Sequence, residues 1–176
     1  MSRTRSRGVT LMELMVVVTI VGILATFALP DLRDMIGRTR LKTAASDLHT
    51  SLTLARSEAV KRNANVTVSP AGGGTNWAVG WEVKSGTTVL NTQDGSSSVT
   101  FTTKDASYTT ALATGTITFS GTGRATTTST PASSSVAFIL TSPGTLGAWA
   151  RCVVLDPSGR PAVRSDNDGN SANGCN

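Results

Sequence analysis

One histidine, one tyrosine and two cysteines in 176 residues leave little material for chemistry. His49 cannot complete a zinc site with Cys152 and Cys175, which lack Cys-x-x-Cys spacing and stand alone in the last quarter of the chain. The acids are scattered with no organised pair, and no Ser/His/Asp or Cys/His set suggests itself. Gly72-Gly73-Gly74 is not followed by Gly-Lys-Ser/Thr, so it is no phosphate loop, and Gly121-Thr122-Gly123-Arg124 reads as a hairpin turn. The expectation is a protein that is not an enzyme, with no cofactor and no metal. In an oxidising compartment the two cysteines would form one disulfide, Cys152–Cys175, closing a loop over the tail. Two unrelated free thiols are the alternative.

Charge is also scarce, at 15% of residues, and the net +5 is misleading. Three of the 16 basic residues are Arg3, Arg5 and Arg7; without the first eight residues, 13 basic and 11 acidic side chains leave +2. A case for nucleic acid must therefore rest on where arginines lie.

What the chain does have is one long apolar run. Leu14 to Leu29 carries no charge and only Thr19 and Thr26 as polar members, and Val9-Thr10-Leu11-Met12 extends it backwards. Glu13 interrupts it. A carboxylate near the bilayer centre costs about 2.5–3.5 kcal/mol on insertion scales, less near an edge, so it needs a partner or a boundary. Ala25-Thr26-Phe27 and Ala28-Leu29-Pro30 fit a secretory cleavage site poorly. Counted from Val9, 21 residues suffice for a retained transmembrane helix, with the basic leader on the cytoplasmic side.

From Asp31 the apolar residues Leu41, Ala44/Ala45, Leu48, Leu52, Ala55 and Ala59 recur at steps of three and four, a single helical stripe that stops at Asn63. Pro30 and Gly37 mark points of bending or local melting. The remainder reads as short antiparallel strands: 65–68, 77–83, 98–102, 116–119, 135–140 and 151–155, with a turn at Asp156–Gly159. One face of them should cover the helical stripe. Trp77 and Trp81 alternate on the second strand, and core packing accounts for them more simply than a binding platform does. Arg33, Arg38, Arg40 and Lys42 read as a solvated helix face or a contact with lipid headgroups.

Gly8-Val9-Thr10-Leu11-Met12-Glu13-Leu14 behind a basic leader resembles the class III signal of type IV pilins and type II secretion pseudopilins. Leu54 to Asn63 is similar to the end of the first helix in the GspH/FimT (FimU-like) subgroup. The resemblance implies an α+β, type IV pilin-like fold, with a long N-terminal helix packed on a small antiparallel β-sheet head. It implies processing by prepilin peptidase between Gly8 and Val9, with N-methylation of Val9. It gives Glu13 the role of meeting a neighbouring subunit's N-terminal amine during filament assembly. The resulting division is a leader at 1–8, a transmembrane helix at 9–30, its soluble continuation at 31–63, and a β-rich head with a disulfide-held tail at 64–176. The partners implied are other pilins or pseudopilins, the assembly platform, the peptidase and inner-membrane lipid, with the head in the periplasm.

Gly159-Arg160 further resembles the start of the Gly-Arg-x-Arg element of FimT-type minor pilins associated with DNA uptake. Ala162 stands where the second arginine belongs, and Arg164 comes two positions later. Residues of like parity on a strand face the same side, so Arg160 and Arg164 can converge with Ala162 between them, and with Arg151 and Arg124 as helpers they are the candidate contacts for double-stranded DNA. Asp166 and Asp168 would oppose them. Two roles follow: a minor pilin of a type IV pilus that helps start or cap the filament, or an H-type minor pseudopilin of type II secretion.

Overall fold

The computed structural model describes residues 8–133, 135–142, 149–170 and 174–175, with the side chains of 27–31 and 33 excepted. The chain divides into two units, Met1–Ile36 and Gly37–Asn176. A single helix, α1 (Leu11–Arg62), contributes to both.

The start of α1 is written in four residues, Thr10-Leu11-Met12-Glu13. Thr10 Oγ1 accepts the Glu13 N–H at 3.2 Å, and the Leu14 N–H reaches the Thr10 carbonyl at 3.2 Å. Thr10 thereby satisfies one free donor of the first turn as a helix cap, and Glu13 places a carboxylate at the positive end of the helix. Around it, the large apolar side chains from Val9 to Leu24 are 49–78% exposed. No described helix is long and apolar enough to cross a membrane. The side-chain description stops at Thr26, 13 residues into the uncharged run, which continues in sequence to Leu29.

Helical backbone continues through Pro30 and Gly37, so neither melts the helix locally. Proline removes one hydrogen bond, and the turns on either side carry the helix past it. The stop is sharp. Asn63 adopts a left-handed φ of 48°, the Ala64 N–H bonds the Ala59 carbonyl at 3.2 Å and the Asn63 N–H bonds Val60 at 3.3 Å. That pair is a Schellman cap, and asparagine tolerates its left-handed residue better than most side chains.

Among the described residues of the second unit, nine strands form two antiparallel sheets. β1 (Val66–Pro70), β2 (Gly80–Ser85), β3 (Thr88–Asp94), β5 (Ala113–Phe119) and β6 (Ala125–Thr130) make one, ordered β3-β2-β1-β5-β6. β4 (Thr100–Lys104), β7 (Val136–Thr141), β8 (Ala150–Leu155) and β9 (Pro161–Ser165) make the other, ordered β4-β7-β8-β9. The stripe Leu41, Ala45, Leu48, Leu52, Ala55 and Ala59 is fully buried. It shares one core with Val66, Val68, Val83, Ile117 and Phe119 of the first sheet and Phe138, Leu140, Val153 and Leu155 of the second. Burying residues of this kind is worth about 1.5–3 kcal/mol per large side chain, which is what holds sheet to helix.

Two sequence expectations change. Trp77 is not on a strand: Trp77–Val79 is a 3-10 turn, with the Asn76 side chain accepting the Ala78 N–H, and the strand begins at Gly80. Both tryptophans are nevertheless core. Trp77 donates its indole N–H to the Thr114 carbonyl at 2.8 Å and sets its ring edge-on to Phe138 at 4.8 Å, joining the two sheets. The strands β3, β6 and β9 were not expected; all three are sheet edges whose side chains are largely exposed, so their sequences carry no apolar alternation.

Candidate functional site

The outer face of the second sheet carries its own small core. Ala137, Ile139, Ala150 and Cys152 pack with Tyr108 and Cys175, separate from the core on the helix side. A Cys152–Cys175 disulfide ties the tail there, with 5.9 Å between Cα atoms. Beside it, Gly174 has a φ of +84°, and a Cβ at that position would lie 2.2 Å from the Tyr108 ring. Only glycine fits.

Tyr108 is itself delivered by a clamped loop. Asp105 accepts the N–H groups of Thr109 (2.8 Å) and Thr110 (2.9 Å) as well as the Ser107 and Thr109 hydroxyls. The Ser107 hydroxyl first, then the Thr110 N–H, hold its carboxyl down to about 2. Within this loop Tyr108 takes a positive φ of 61°.

The arginines divide. Arg160 is exposed at the end of the Asp156–Gly159 turn, whose glycine has a φ of +77° and lies so close that a Cβ would meet the Gly123 carbonyl oxygen at 2.1 Å. The Ala125 N–H bonds Pro157 at 3.2 Å, and Arg56 Nε bonds the Gly123 carbonyl at 3.2 Å, so this turn abuts the one that bears exposed Arg124. Asp156 sits below the usual carboxylate range, chiefly through the Ser158 hydroxyl, with the Arg160 N–H and charge adding to it.

Arg164 stands on β9 opposite Cys152, whereas Arg151 stands opposite Ser165 and donates to its hydroxyl at 2.6 Å. Adjacent strand positions face opposite sides, so Arg151 and Arg164 leave the sheet in opposite directions. The structure therefore does not gather Arg151 with Arg164. Asp166 also departs from expectation. It is 3% exposed rather than a surface charge, and it accepts the Asp168 N–H at 3.1 Å. Among the described residues no group of three or more His, Cys, Asp or Glu side chains converges.

Residues 44–159 match the family model described as Type II transport protein GspH, and residues 3–29 match the prokaryotic N-terminal methylation motif. The chain belongs to the GspH family. A fimbrial protein of Pseudomonas aeruginosa is 45% identical over 51 residues, covering 29% of this chain and 33% of that protein. The pilin-like protein PilA1 of Thermus thermophilus is 48% identical over 60 residues, 34% of this chain and 37% of that protein. The chain thus spans about a third of the length of these curated relatives. The crystal structure of the type IV minor pilin FimU of Pseudomonas aeruginosa superposes with a TM-score of 0.55 at 24% identity, covering 72% of this chain and 90% of that one. That likeness establishes the type IV pilin-like fold.

For this GspH-family chain the helix cap bears directly on the N-terminal residues. Gly8 has nothing within 4 Å of where a Cβ would stand, and Val9 is 71% exposed, so the Gly8–Val9 bond lies open just ahead of the Thr10 cap. Glu13 lies one helical turn inside it. Thr10 was readable in the sequence as a helix cap, and the Glu13 carboxylate at the positive end of the helix has a local role beside any intermolecular one. The Gly174–Tyr108 seat was not readable, because nothing in sequence links a loop residue to a glycine 66 positions on.

Proposed function

We propose that this chain is a minor pilin of a type IV pilus, a structural subunit that helps start or cap the filament. The observation that carries the reading is the pairing of two unlike parts. One is a helical arm with exposed apolar side chains and a single carboxylate in its first turn. The other is a head whose buried core lies entirely beyond residue 40. An arm of this kind is satisfied only by lipid or by other apolar helices. Before assembly it holds the chain in the inner membrane, with residues 9–30 spanning and the head in the periplasm. Prepilin peptidase cuts between Gly8 and Val9 and methylates Val9. Within the filament Glu13 meets the N-terminal amine of a neighbouring pilin, since a carboxylate among apolar helices is tolerable only when paired.

The type II secretion role, as an H-type minor pseudopilin, stays as the second reading because the matching family is described by that transport system. Both roles use the same arm and head. The discriminating experiment places a tagged chain in its own host, with either the pilus or the secretion assembly platform deleted, and recovers sheared filaments. Loss of the tag from filaments when only the pilus platform is missing supports the minor pilin. Loss only when the secretion platform is missing overturns it in favour of the pseudopilin.

DNA contact in uptake is a finer possibility, supported by one placement. Arg160 and Arg124 share abutting exposed turns, and Arg164 stands on an exposed edge strand. The contact set becomes Arg160 and Arg164 with Arg124, and Arg151 leaves it.

A further inference from the structure

Building on the reading of the arm as membrane-bound, we propose that the cavity between α1 and strands β8 and β9 binds the zwitterionic headgroup of phosphatidylethanolamine. Arg38 and Arg151 take its phosphate and Asp166 takes its ammonium.

Strand register builds the site. On β8, Arg151 shares the parity of Val153 and Leu155, so it leaves the sheet on the side that packs against α1. Pairing with β9 sets Ser165 opposite it, and the Asp166 N–H bonds the Ala150 carbonyl at 3.2 Å. Arg38 and Leu41 of α1 supply another wall, with Trp149 beside them. The space enclosed is about 150 Å³. That is room for about five waters, the scale of a headgroup rather than of a peptide or an acyl chain.

The lining carries two positive charges and one negative, and none is fully engaged. Arg38 lies over the Trp149 ring at 3.9 Å from its centroid, a contact with the ring face that spends no N–H on an acceptor. Arg151 gives one donor to the Ser165 hydroxyl at 2.6 Å and keeps the rest of its fork. Asp166 is 3% exposed; its Oδ1 accepts the Asp168 N–H at 3.1 Å, and its Oδ2 is buried with no hydrogen-bond partner. Among the described residues no ion pair joins either guanidinium to Asp166. A buried carboxylate oxygen without a donor is costly, and a ligand that brings one relieves the cost.

No ligand of a single charge satisfies this lining. Guanidinium forks recognise phosphate oxygens, whereas Asp166 repels them and accepts from an ammonium. Phosphoethanolamine carries both charges two carbons apart, and its methylenes suit Leu41 and Ala150, the apolar part of the wall. Its primary ammonium donates hydrogen bonds, which the trimethylammonium of phosphocholine cannot do. Lipid is the source because Arg38 follows Leu29, the end of the uncharged run, by nine positions. Trp149 beside it is 38% exposed, and an indole is favoured where headgroups meet water.

The test titrates the full chain in detergent with glycerophosphoethanolamine, the soluble headgroup, and follows tryptophan emission. Trp149→Phe removes the responding ring and leaves buried Trp77 and Trp81 as background. Glycerophosphocholine and glycerophosphoglycerol should bind about tenfold more weakly than glycerophosphoethanolamine. Asp166→Asn keeps the shape and should bring glycerophosphoethanolamine down to their level, while Arg151→Gln should weaken all three. If Asp166→Asn does not fold, the ranking on the wild type and the loss in Arg151→Gln decide. A second arm places the full chain in phosphatidylcholine nanodiscs with or without phosphatidylethanolamine, which should change Trp149 emission in the wild type only. No binding of the soluble headgroup, equal binding of the choline compound, or a preference that survives in Asp166→Asn overturns the proposal. Soluble binding without a response in nanodiscs overturns the lipid assignment in favour of a free zwitterion. A chain that enters nanodiscs without any headgroup preference sinks this site and leaves the membrane reading standing; one that does not enter them sinks both.

Discussion

Removing the Cys152–Cys175 bridge tests how the tail is held. The two cysteines are 23 positions apart, and in the chain-entropy view a closed loop of that size restricts the unfolded chain by about 3.5 kcal/mol. The unit that bears it, Gly37–Asn176, has 140 residues. At about 2.1 cal/mol/K per residue its unfolding entropy near the midpoint is about 0.3 kcal/mol/K, so the bridge is worth about 12 °C. Alanine is the right replacement at both positions, because serine would bury a hydroxyl among Ala137, Ile139 and Tyr108. Differential scanning calorimetry of the full chain in detergent should show the oxidised wild type melting about 12 °C above Cys152→Ala/Cys175→Ala. Reductant should lower the wild type to the variant's midpoint and leave the variant alone. A gap under about 2 °C, or a variant that responds to reductant, would refute the reasoning.

Glu13→Ala should leave membrane insertion intact and sharply reduce recovery in sheared filaments at matched expression; normal recovery removes the intermolecular role of Glu13. Trp77→Phe leaves the Thr114 carbonyl without its donor and should cost about 1–3 kcal/mol in denaturant unfolding, whereas an unchanged midpoint would mean that the indole N–H contributes nothing. Asp105 has a folded pKa below its unfolded one, so its contribution is complete above about pH 4 and is lost as pH falls through about 2. Amide protection at Thr109 and Thr110 should fall across that window and be insensitive to it in Asp105→Asn. For DNA, a titration of the full chain in detergent at two salt concentrations should show a slope no steeper than about −0.9 per phosphate contact, with Arg160→Ala/Arg164→Ala losing affinity and Arg151→Ala keeping it. Absence of binding by the wild type at low salt ends that reading.

The helix could be read from sequence almost to the residue, because its signals are local. Thr10 and Glu13 lie one turn apart, the Leu/Ala stripe repeats at helical spacing, and Asn63 is a residue that tolerates the left-handed stop. The central strands β1, β2, β7 and β8 were visible because burial forces apolar residues into them. Edge strands escape that constraint: Thr88–Asp94 and Pro161–Ser165 are paired on one side only and their faces are mostly wet. The same limit explains the tail. The register that sends Arg151 and Arg164 to opposite faces depends on where β9 begins, a matter of one residue that composition does not encode. The burial of Asp166 depends on a cavity wall to which Arg38, Leu41 and Trp149 contribute, residues far from it in sequence.

The closure of the second sheet on both faces has an evolutionary consequence. Every residue of β7 from Val136 to Leu140 is buried, one set toward the helix and the other toward Tyr108 and the tail. The tail's hold on the outer face needs little of its sequence: a cysteine to bridge and a glycine that clears the tyrosine ring. Selection can therefore rewrite the exposed residues 162–165 and 167–170, on either side of the buried Asp166, without touching the packing that folds the head. A lineage could vary what the head presents to its surroundings while leaving the buried framework alone, and the tail is where such divergence between close relatives should concentrate.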